Sequence, residues 1–496
     1  MSDVSLRYWF WWPARTFDPL DADRPPVMQV ARNIYAPLVS NFLDGKPQGM
    51  IAEEWKVDST GKRWRFKIRR GLTFEDGTPI TPQVVLQNFR RIVWLTRNDG
   101  LVLNSLMPEV ASWKSYDAPL SSIFLEKGDL VFKFSKRPIN LFEAISQAIY
   151  GIANPKCFDE KGTWRDPMET CSSGPYRIKQ ITDNKVVLQA REVGYPRLKD
   201  APDTVEIHAP TKAGDNVVRA LLDGRGDLTV EHSFGISRRT LSDIAEAGLR
   251  IVEEPPVRMH FVHLNHGRGP FANKALRQSF RDYFLRLISD DREYAASGIA
   301  VDSSFIPKGG VGYLQFRIPD SPAPRKEGPD QVEVLFFPIS ADAQIQHSIE
   351  GCVVRALKAH GLAPHVTRYP DRFEAFNRMR RGDFDLIVRG TGIAVNNPYG
   401  DFRLMFMSKL GALIPDPSGE IPALIEKAED EESPTERARI AEKINALIYG
   451  ESAIVTFAHS NLIYIHSPKV DLSRIDLFFD PIEFRAVGWA PARKAD

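Results

Sequence analysis

The sequence lacks the motifs that announce an enzyme. Its 496 residues contain no G-x-S-x-G elbow, no P-loop, no H-E-x-x-H and no G-x-G-x-x-G. Hydrolase, nucleotide, zincin and dinucleotide chemistry therefore find no support in the motifs. Cysteine is scarce: Cys157, Cys171 and Cys352, with no C-x-x-C among them, which argues against zinc ribbons and thioredoxin-type redox sites. Long apolar runs are missing too. The densest early run, Tyr8–Trp12, stops at Pro13, far short of the roughly 18 residues that a spanning helix needs. Met1-Ser2-Asp3 carries no basic charge and no h-region follows, so no secretory leader is expected. Two expectations stay open on this point: a cytoplasmic chain, or one that begins after a removed signal. Charge of one sign is absent as well. Lys plus Arg total 65 against 64 for Asp plus Glu, so no global field draws in nucleic acid or anionic lipid.

What remains is a long, ordinary α/β chain. Hydrophobic residues make up 43% and charged residues 26%, typical of a globular protein. Single domains stop growing near about 250–300 residues, so at least two lobes are expected. Strands are read at Leu6–Phe10, Trp64–Ile68, Val131–Phe134, Lys185–Leu188, Met259–Leu264, Val332–Phe337, Val366–Tyr369, Phe384–Val388, Ala453–Ala458 and Leu462–Ile465. Helices are read at Pro26–Leu38, after Thr81-Pro82, after Asn273, at Ala343–His360 with a stop at Gly361, through Phe373–Arg380, and at Pro434–Tyr449. The helix after Thr81 buries Val85, Phe89 and Ile92. The one after Asn273 has the stripe Leu276, Phe280, Tyr283 and Leu287. Pro319–Pro329 reads as an exposed loop, and no internal repeat is found.

Some residues invite a sharper reading. His260, His263 and His266 are close in sequence, but a strand spacing of three alternates faces, so partly buried histidines are the better expectation than a metal site. Cys157 and Cys171 have the separation of a small disulfide loop; buried thiols are the other reading. Asp430-Glu431-Glu432 is a solvated run between helices. In Tyr8–Trp12 a strand puts Trp9 and Trp11 on one face and Phe10 and Trp12 on the other. One reading puts one set in the core and the other on a ligand wall; the other reading is a packed core under the long loop.

The order of several motifs resembles the extracytoplasmic solute-binding proteins of family 5, typified by oligopeptide- and dipeptide-binding proteins of ABC transporters. They are Thr16-Phe17-Asp18-Pro19-Leu20, Ile34–Val39, Ile51-Ala52-Glu53-Glu54-Trp55, and the long stretch from Phe66 to Thr81 through Gly71, Phe74 and Asp76-Gly77-Thr78-Pro79. Ser173-Gly174-Pro175-Tyr176, Ala220–Gly224 with Asp227-Leu228, Asn265, Pro270-Phe271, Leu276-Arg277-Gln278 and Gly382–Leu386 follow in order. The likeness covers nearly the whole chain.

The resemblance implies an α/β, two-lobed periplasmic-binding-protein fold with a hinge (type II, cluster C-like) and an extra small α/β subdomain. Lobe I is expected from 1–39, 173–255 and 457–496, its inserted subdomain from 40–172, and lobe II from 256–456. It further implies an extracytoplasmic component of an ABC importer, periplasmic, that encloses a peptide-like ligand by hinge closure and delivers it to a membrane permease. It implies a monomer with no cofactor, no metal, no nucleic acid and no enzymatic activity. By alignment, Asp23, Arg24 and Pro25 fall where the family contacts the ligand main chain, and Arg389, Thr391, Gly392, Ile393, Ala394, Val395, Asn396 and Asn397 fall on the opposite wall. Trp11 and Trp12 are the aromatic candidates. Arg24, Arg389 and Arg403 are candidates to clamp carboxylate or phosphate.

The sequence departs from the oligopeptide pattern in one respect. Oligopeptide binders carry an Asp on the opposite wall that pairs with the ligand α-ammonium, and here Val or Asn stands at that place. An amide accepts a hydrogen bond without charge pairing, and Pro25 has no N–H to donate. A non-peptide polar solute (opine, oligosaccharide or metal chelate) is therefore an alternative ligand class. A cytoplasmic sensing module of a transcription regulator is the alternative function.

Overall fold

The computed structural model describes residues 5–11, 14, 16–21, 25–43, 46–97, 101–138, 141–211, 216–318, 320, 330–337, 339–340, 342–368, 378–379, 381–392, 397–407, 414, 416–475 and 481–490. The chain forms two compact units. The first comprises 1–230, 244–252 and 464–496, and the second 231–243 and 253–463.

In the first unit, β1 (Ser5–Trp9) opens a sheet, and α1 (Pro25–Ile34) follows. The sequence predicts that helix as far as Leu38, but it ends at Ile34. Pro37 disfavours helical backbone at Ala36 and has no N–H for a helical bond. Next come β2 (Val39–Leu43), β3 (Lys46–Gly49), β4 (Ala52–Val57) and β5 (Arg63–Ile68). Helix α2 (Pro82–Leu95) starts as the sequence predicts: Thr81 Oγ1 accepts the Val84 N–H at 3.3 Å, and Pro82 takes the first turn. Val85, Phe89 and Ile92 are buried, and Phe89 meets Phe132 edge-on at 5.1 Å. Strands β6 (Ile123–Glu126) and β7 (Asp129–Lys133) complete a four-stranded sheet in the order β4-β5-β7-β6. Then β8 (Tyr176–Thr182), β9 (Lys185–Ala190), β10 (Thr204–His208) and β11 (Leu228–His232) form a second sheet with β1, which runs parallel to both β10 and β11.

The recognisable motifs act here as joints. Asp18 Oδ2 accepts from Arg91 Nη2 at 2.5 Å, and its Oδ1 caps the Leu20 N–H at 3.0 Å. Arg91 also donates to the Gly162 carbonyl and lies over the rings of Phe158 and Trp164. At Ser173-Gly174, the Gly174 N–H donates to the Ile34 carbonyl at 2.8 Å. A Cβ at 174 would sit 2.8 Å from the Asn33 carbonyl oxygen, so only glycine allows this backbone contact.

The second unit holds β12 (Arg250–Leu264), α3 (Lys274–Ser289), β13 (Asp330–Phe336), α4 (Ala343–Ala359), β14 (Leu362–Arg368), β15 (Leu386–Gly392), α5 (Tyr399–Phe406), α6 (Ile421–Asp430), α7 (Pro434–Glu451) and β16 (Ile454–His466). The first few residues of β12 and the last few of β16 belong to the first unit. Strand order in this unit is β14-β13-β15-β12-β16, with β13 parallel to β14 and β15, and β12 antiparallel to β15.

Three sequence expectations change. Ala453–Ala458 and Leu462–Ile465 are one strand, β16. The polar step His459-Ser460-Asn461 that seemed to divide it is carried inside the sheet, where Ser460 meets His260. On α3 the deepest side chains are Phe280, Phe284 and Ile288, four residues apart, while Leu276, Tyr283 and Leu287 are only partly buried. Arg277 and Arg281 sit on the buried side because Glu451, Asp282 and main-chain carbonyls satisfy them. Their charge concealed the face from a hydrophobicity reading. Cys157, Cys171 and Cys352 are all buried free thiols, so the expected disulfide alternative is set aside; Cys171 Sγ accepts from Asn154 Nδ2 at 3.2 Å. The capped helix α4 matches its prediction: Ile345, Ile349, Val353 and Leu357 are buried, and Asp342 caps its start. Most of the predicted loop 319–329 and of the helix through 373–380 lies outside the described residues.

Two measurements test these joints. Asp18→Ala leaves the buried Arg91 guanidinium without its carboxylate and is expected to cost about 3–5 kcal/mol, read as a lower urea midpoint. Acid is expected to destabilise the fold from a second source. Burial depresses His208, His260, His263, His266, His360 and His466, and takes His263 down to about 3. In the unfolded chain these rings bind protons near pH 6.5. Their contribution is thus complete above about pH 6.5 and is lost as pH falls toward the folded values. Chemical denaturation between pH 7.5 and 4 should show a falling midpoint below about 6.5; a flat midpoint would contradict the assignment.

Candidate functional site

The second unit holds the described candidates Arg389, Thr391, Gly392, Asn397 and Arg403. Strand β15 pairs with β12 so that Arg389 lies opposite Phe261, Thr391 opposite Met259 and Gly392 opposite Arg258. Alternation then places Ile387, Arg389 and Thr391 on one face together with Met259, Phe261 and His263. On the other face Gly390 lies opposite His260. A Cβ at 390 would approach His260 Nδ1 to 3.1 Å and Arg258 Nε to 3.0 Å, so glycine keeps this crossing tight.

Arg389 is 6% exposed. Its guanidinium carbon stands 5.0 Å from the centre of the Phe261 ring, and its Nε has no hydrogen-bond partner among the described residues. Burial alone lowers its pKa, to about 10. No acid among the described residues offsets the loss of water, unlike the situation at Arg403. Arg403, on α5, donates from Nε and Nη2 to the two oxygens of Glu429 on α6, at 2.8 and 2.7 Å. That fork-to-fork pair ties two helices together and occupies the carboxylate-binding edge of the guanidinium.

His263 adds to the uncompensated character of the Arg389 face. It is buried, neither ring nitrogen has a partner among the described residues, and its ring meets Phe384 edge-on at 5.0 Å. Burial first, and then the charge of Arg389, keep it neutral.

The remaining candidates divide as follows. Thr391 is half-buried and Gly392 exposed at the end of β15; Asn397 is half-buried. Trp11, in the first unit, is half-buried with its ring 4.8 Å from Phe10. Trp9 and Phe10 are both buried, so the two faces of that aromatic run are less distinct than alternation implies. Pro25 is the first residue of α1. Trp12, Asp23, Arg24, Ile393, Ala394, Val395 and Asn396 lie outside the described residues. Phe261 is the site residue that the sequence reading missed. It stood in a correctly predicted strand, but only the β12–β15 register places its ring under Arg389.

The histidines do not gather a metal. His260 and His263 point to opposite faces, and no group of three or more His, Cys, Asp or Glu among the described residues could hold an ion. His260 Nε2 lies 2.7 Å from Ser460 Oγ, the geometry of a nucleophile and its base. Both side chains are fully buried, the ring stacks on Phe234 at 4.5 Å, and no carboxylate orders it. A pair sealed in this way holds two strands together and meets no substrate.

Comparison with known proteins bears on the fold and the family. A family model, Bacterial extracellular solute-binding proteins, family 5 Middle, matches residues 46–281. The probable D,D-dipeptide-binding periplasmic protein DdpA of Escherichia coli is 21% identical over 86% of this chain and 83% of its own length. Other curated relatives match over about half of their own length. Among solved structures, OppA of Haemophilus influenzae in complex with RPPGFSPFR superposes with a TM-score of 0.83 at 16% identity, covering 99% of both chains. NikA of Brucella suis in complex with Fe(III)-EDTA superposes at 0.76 and 18% identity, covering 98% of this chain and all of that one. The fold is thus the two-lobed α/β fold of these binding proteins, and no helix among the described residues is long and apolar enough to cross a membrane. The middle of the chain, residues 46–281, is that of a bacterial extracellular solute-binding protein of family 5.

Proposed function

We propose that this protein is the solute-binding component of an ABC importer, capturing a peptide-like ligand and delivering it to a membrane permease. The observation that carries the reading is the end-to-end correspondence with a peptide-bound OppA, over 99% of both chains, joined to the order of family motifs along the sequence. DdpA, a probable dipeptide binder, supports the same class. The protein acts outside the cytoplasm, as a monomer, without nucleic acid and without turning its ligand over. Its lobes follow the segment boundaries 1–39, 40–172, 173–255, 256–456 and 457–496. Trp11, Trp12, Asp23, Arg24 and Pro25 contribute to one wall, and Arg389 with Thr391–Asn397 to the other.

A specific feature favours a second reading, a non-peptide polar solute. The segment Gly390–Asn397 contains no Asp or Glu to meet an α-ammonium, and NikA, of the same fold, is seen with Fe(III)-EDTA.

Native mass spectrometry of gently purified protein, repeated after denaturing extraction, separates the two. A distribution of peptide masses released on denaturation is the expected result. A single discrete non-peptide mass would replace the peptide reading with the second one. Absence of any bound mass, together with no melting shift on adding a peptide pool or polar solutes, would overturn both.

A further inference from the structure

Helix α1 buries three polar side chains, and all three turn to one distant segment of the first unit. Gln29 and Asn33 are fully buried and Arg32 is 4% exposed. Gln29 Nε2 donates to the Ile482 carbonyl at 2.9 Å, and its Oε1 accepts the Ile482 N–H at 3.1 Å. Asn33 Nδ2 donates to the same carbonyl at 2.9 Å, and its Oδ1 accepts the Phe484 N–H at 2.9 Å. Arg32 pairs with Glu483 at 2.5 Å. Side chains at i, i+3 and i+4 share one helix face, so α1 offers this segment the donors and acceptors that a neighbouring strand would offer. The four amide bonds span 449 to 453 positions of sequence. The same segment reaches further into the unit. Arg485 donates to Ser40 Oγ on β2 and to the Pro196 carbonyl, both at 2.6 Å, and its own carbonyl accepts the Leu198 N–H at 3.0 Å. Phe484 meets the rings of Tyr8 on β1 and Tyr176 on β8 edge-on, at 5.4 and 6.4 Å.

Take residues 482–484 away, and among the described residues the Gln29 side chain keeps no partner, Arg32 keeps only the Ser146 carbonyl and Asn33 only the Gln29 carbonyl. Burying amides and a guanidinium in that condition is costly, so α1 is not held in its native place until the segment arrives. We infer that residues 481–490 are a folding latch: α1, with the strands β1 and β8 that meet the segment, locks in the same step in which the segment docks. Residues near the start of a chain ordinarily fold first as they emerge; here they wait for residues made some 450 positions later. The four-stranded sheet β4-β5-β7-β6 does not wait, because its strands pair with one another within 52–133. The inference rests on the proposed function only for the use of such a delay: a chain bound for the outside of the cytoplasm gains from staying unlocked while it is threaded across a membrane. The latch itself does not depend on what the protein carries.

The test refolds the full chain from urea and follows it by pulsed hydrogen exchange with mass spectrometry of its peptides. Peptides covering 25–34 and 481–490 are expected to gain protection in one phase at one rate, and those covering 52–68 and 123–133 in an earlier phase. Glu483→Gln keeps the shape of the side chain and leaves Arg32 without its acid. It should slow the shared phase about 10-fold and leave the earlier phase unchanged. Gln29→Leu combined with Asn33→Leu removes the buried amides that wait for 482–484, so protection of 25–34 should then precede that of 481–490. Should this double variant fail to fold, native-state exchange of the wild type still decides: 25–34 and 481–490 are expected to open together, with the same dependence on urea. Protection of 25–34 before 481–490 in the wild type, a single phase common to every peptide, native-state openings with different urea dependence, or equal slowing of both phases by Glu483→Gln overturns the latch. No ligand enters these measurements, so the latch and the proposed function stand or fall separately.

Discussion

The antiparallel register of β12 on β15 is the constraint from which the candidate site follows. With Arg389 opposite Phe261 and Gly390 opposite His260, one face receives the guanidinium, its ring support and His263, while the other receives the Ser460–His260 pair. A slip of one residue would exchange the faces, sending Arg389 toward the packed histidine and exposing its companions. The register is held from both sides of the pairing. Asp385, just before β15, accepts from the Glu333 N–H on β13 at 2.8 Å and from Arg268 Nε at 3.1 Å. Asn265, just after β12, donates to the Phe384 carbonyl at 2.8 Å. Polar clamps at strand ends therefore fix the geometry of a charge placed near the middle of a strand.

The same economy of charge runs through the rest of the molecule. Asp18, Asp385, Glu451 and Glu483 each occupy buried or half-buried joints, and each satisfies an arginine, main-chain N–H groups or both. Such pairs are specific rather than strongly stabilising, since the desolvation of two ions nearly offsets their attraction, while loss of one partner is costly. They give several of the motifs that mark a binding-protein family a structural role within the first unit. The Thr16–Leu20 and Ser173–Tyr176 motifs maintain chain crossings on which the first unit depends.

The sequence alone carried the α/β class, strands β1, β5, β7, β9 and β12–β16, helices α1–α4 and α7, the caps at Thr81 and Asn273, and, through the ordered motifs, the family resemblance. These are local properties: hydrophobic period, capping side chains and turn residues act within a few positions, so they can be read along the chain. The continuity of β16 was not legible, because His459-Ser460-Asn461 looks like a break until Ser460 finds His260 across the sheet. The buried face of α3 was not legible either, because Arg277 and Arg281 are polar in sequence, and the Glu451 and Tyr449 carbonyls that help to satisfy them come from far along the chain. For the site, the sequence supplied three candidate arginines and no way to rank them. Tertiary structure committed Arg403 to Glu429 and left Arg389 on Phe261 without an acid, because hydrogen-bond satisfaction depends on which distant side chains arrive.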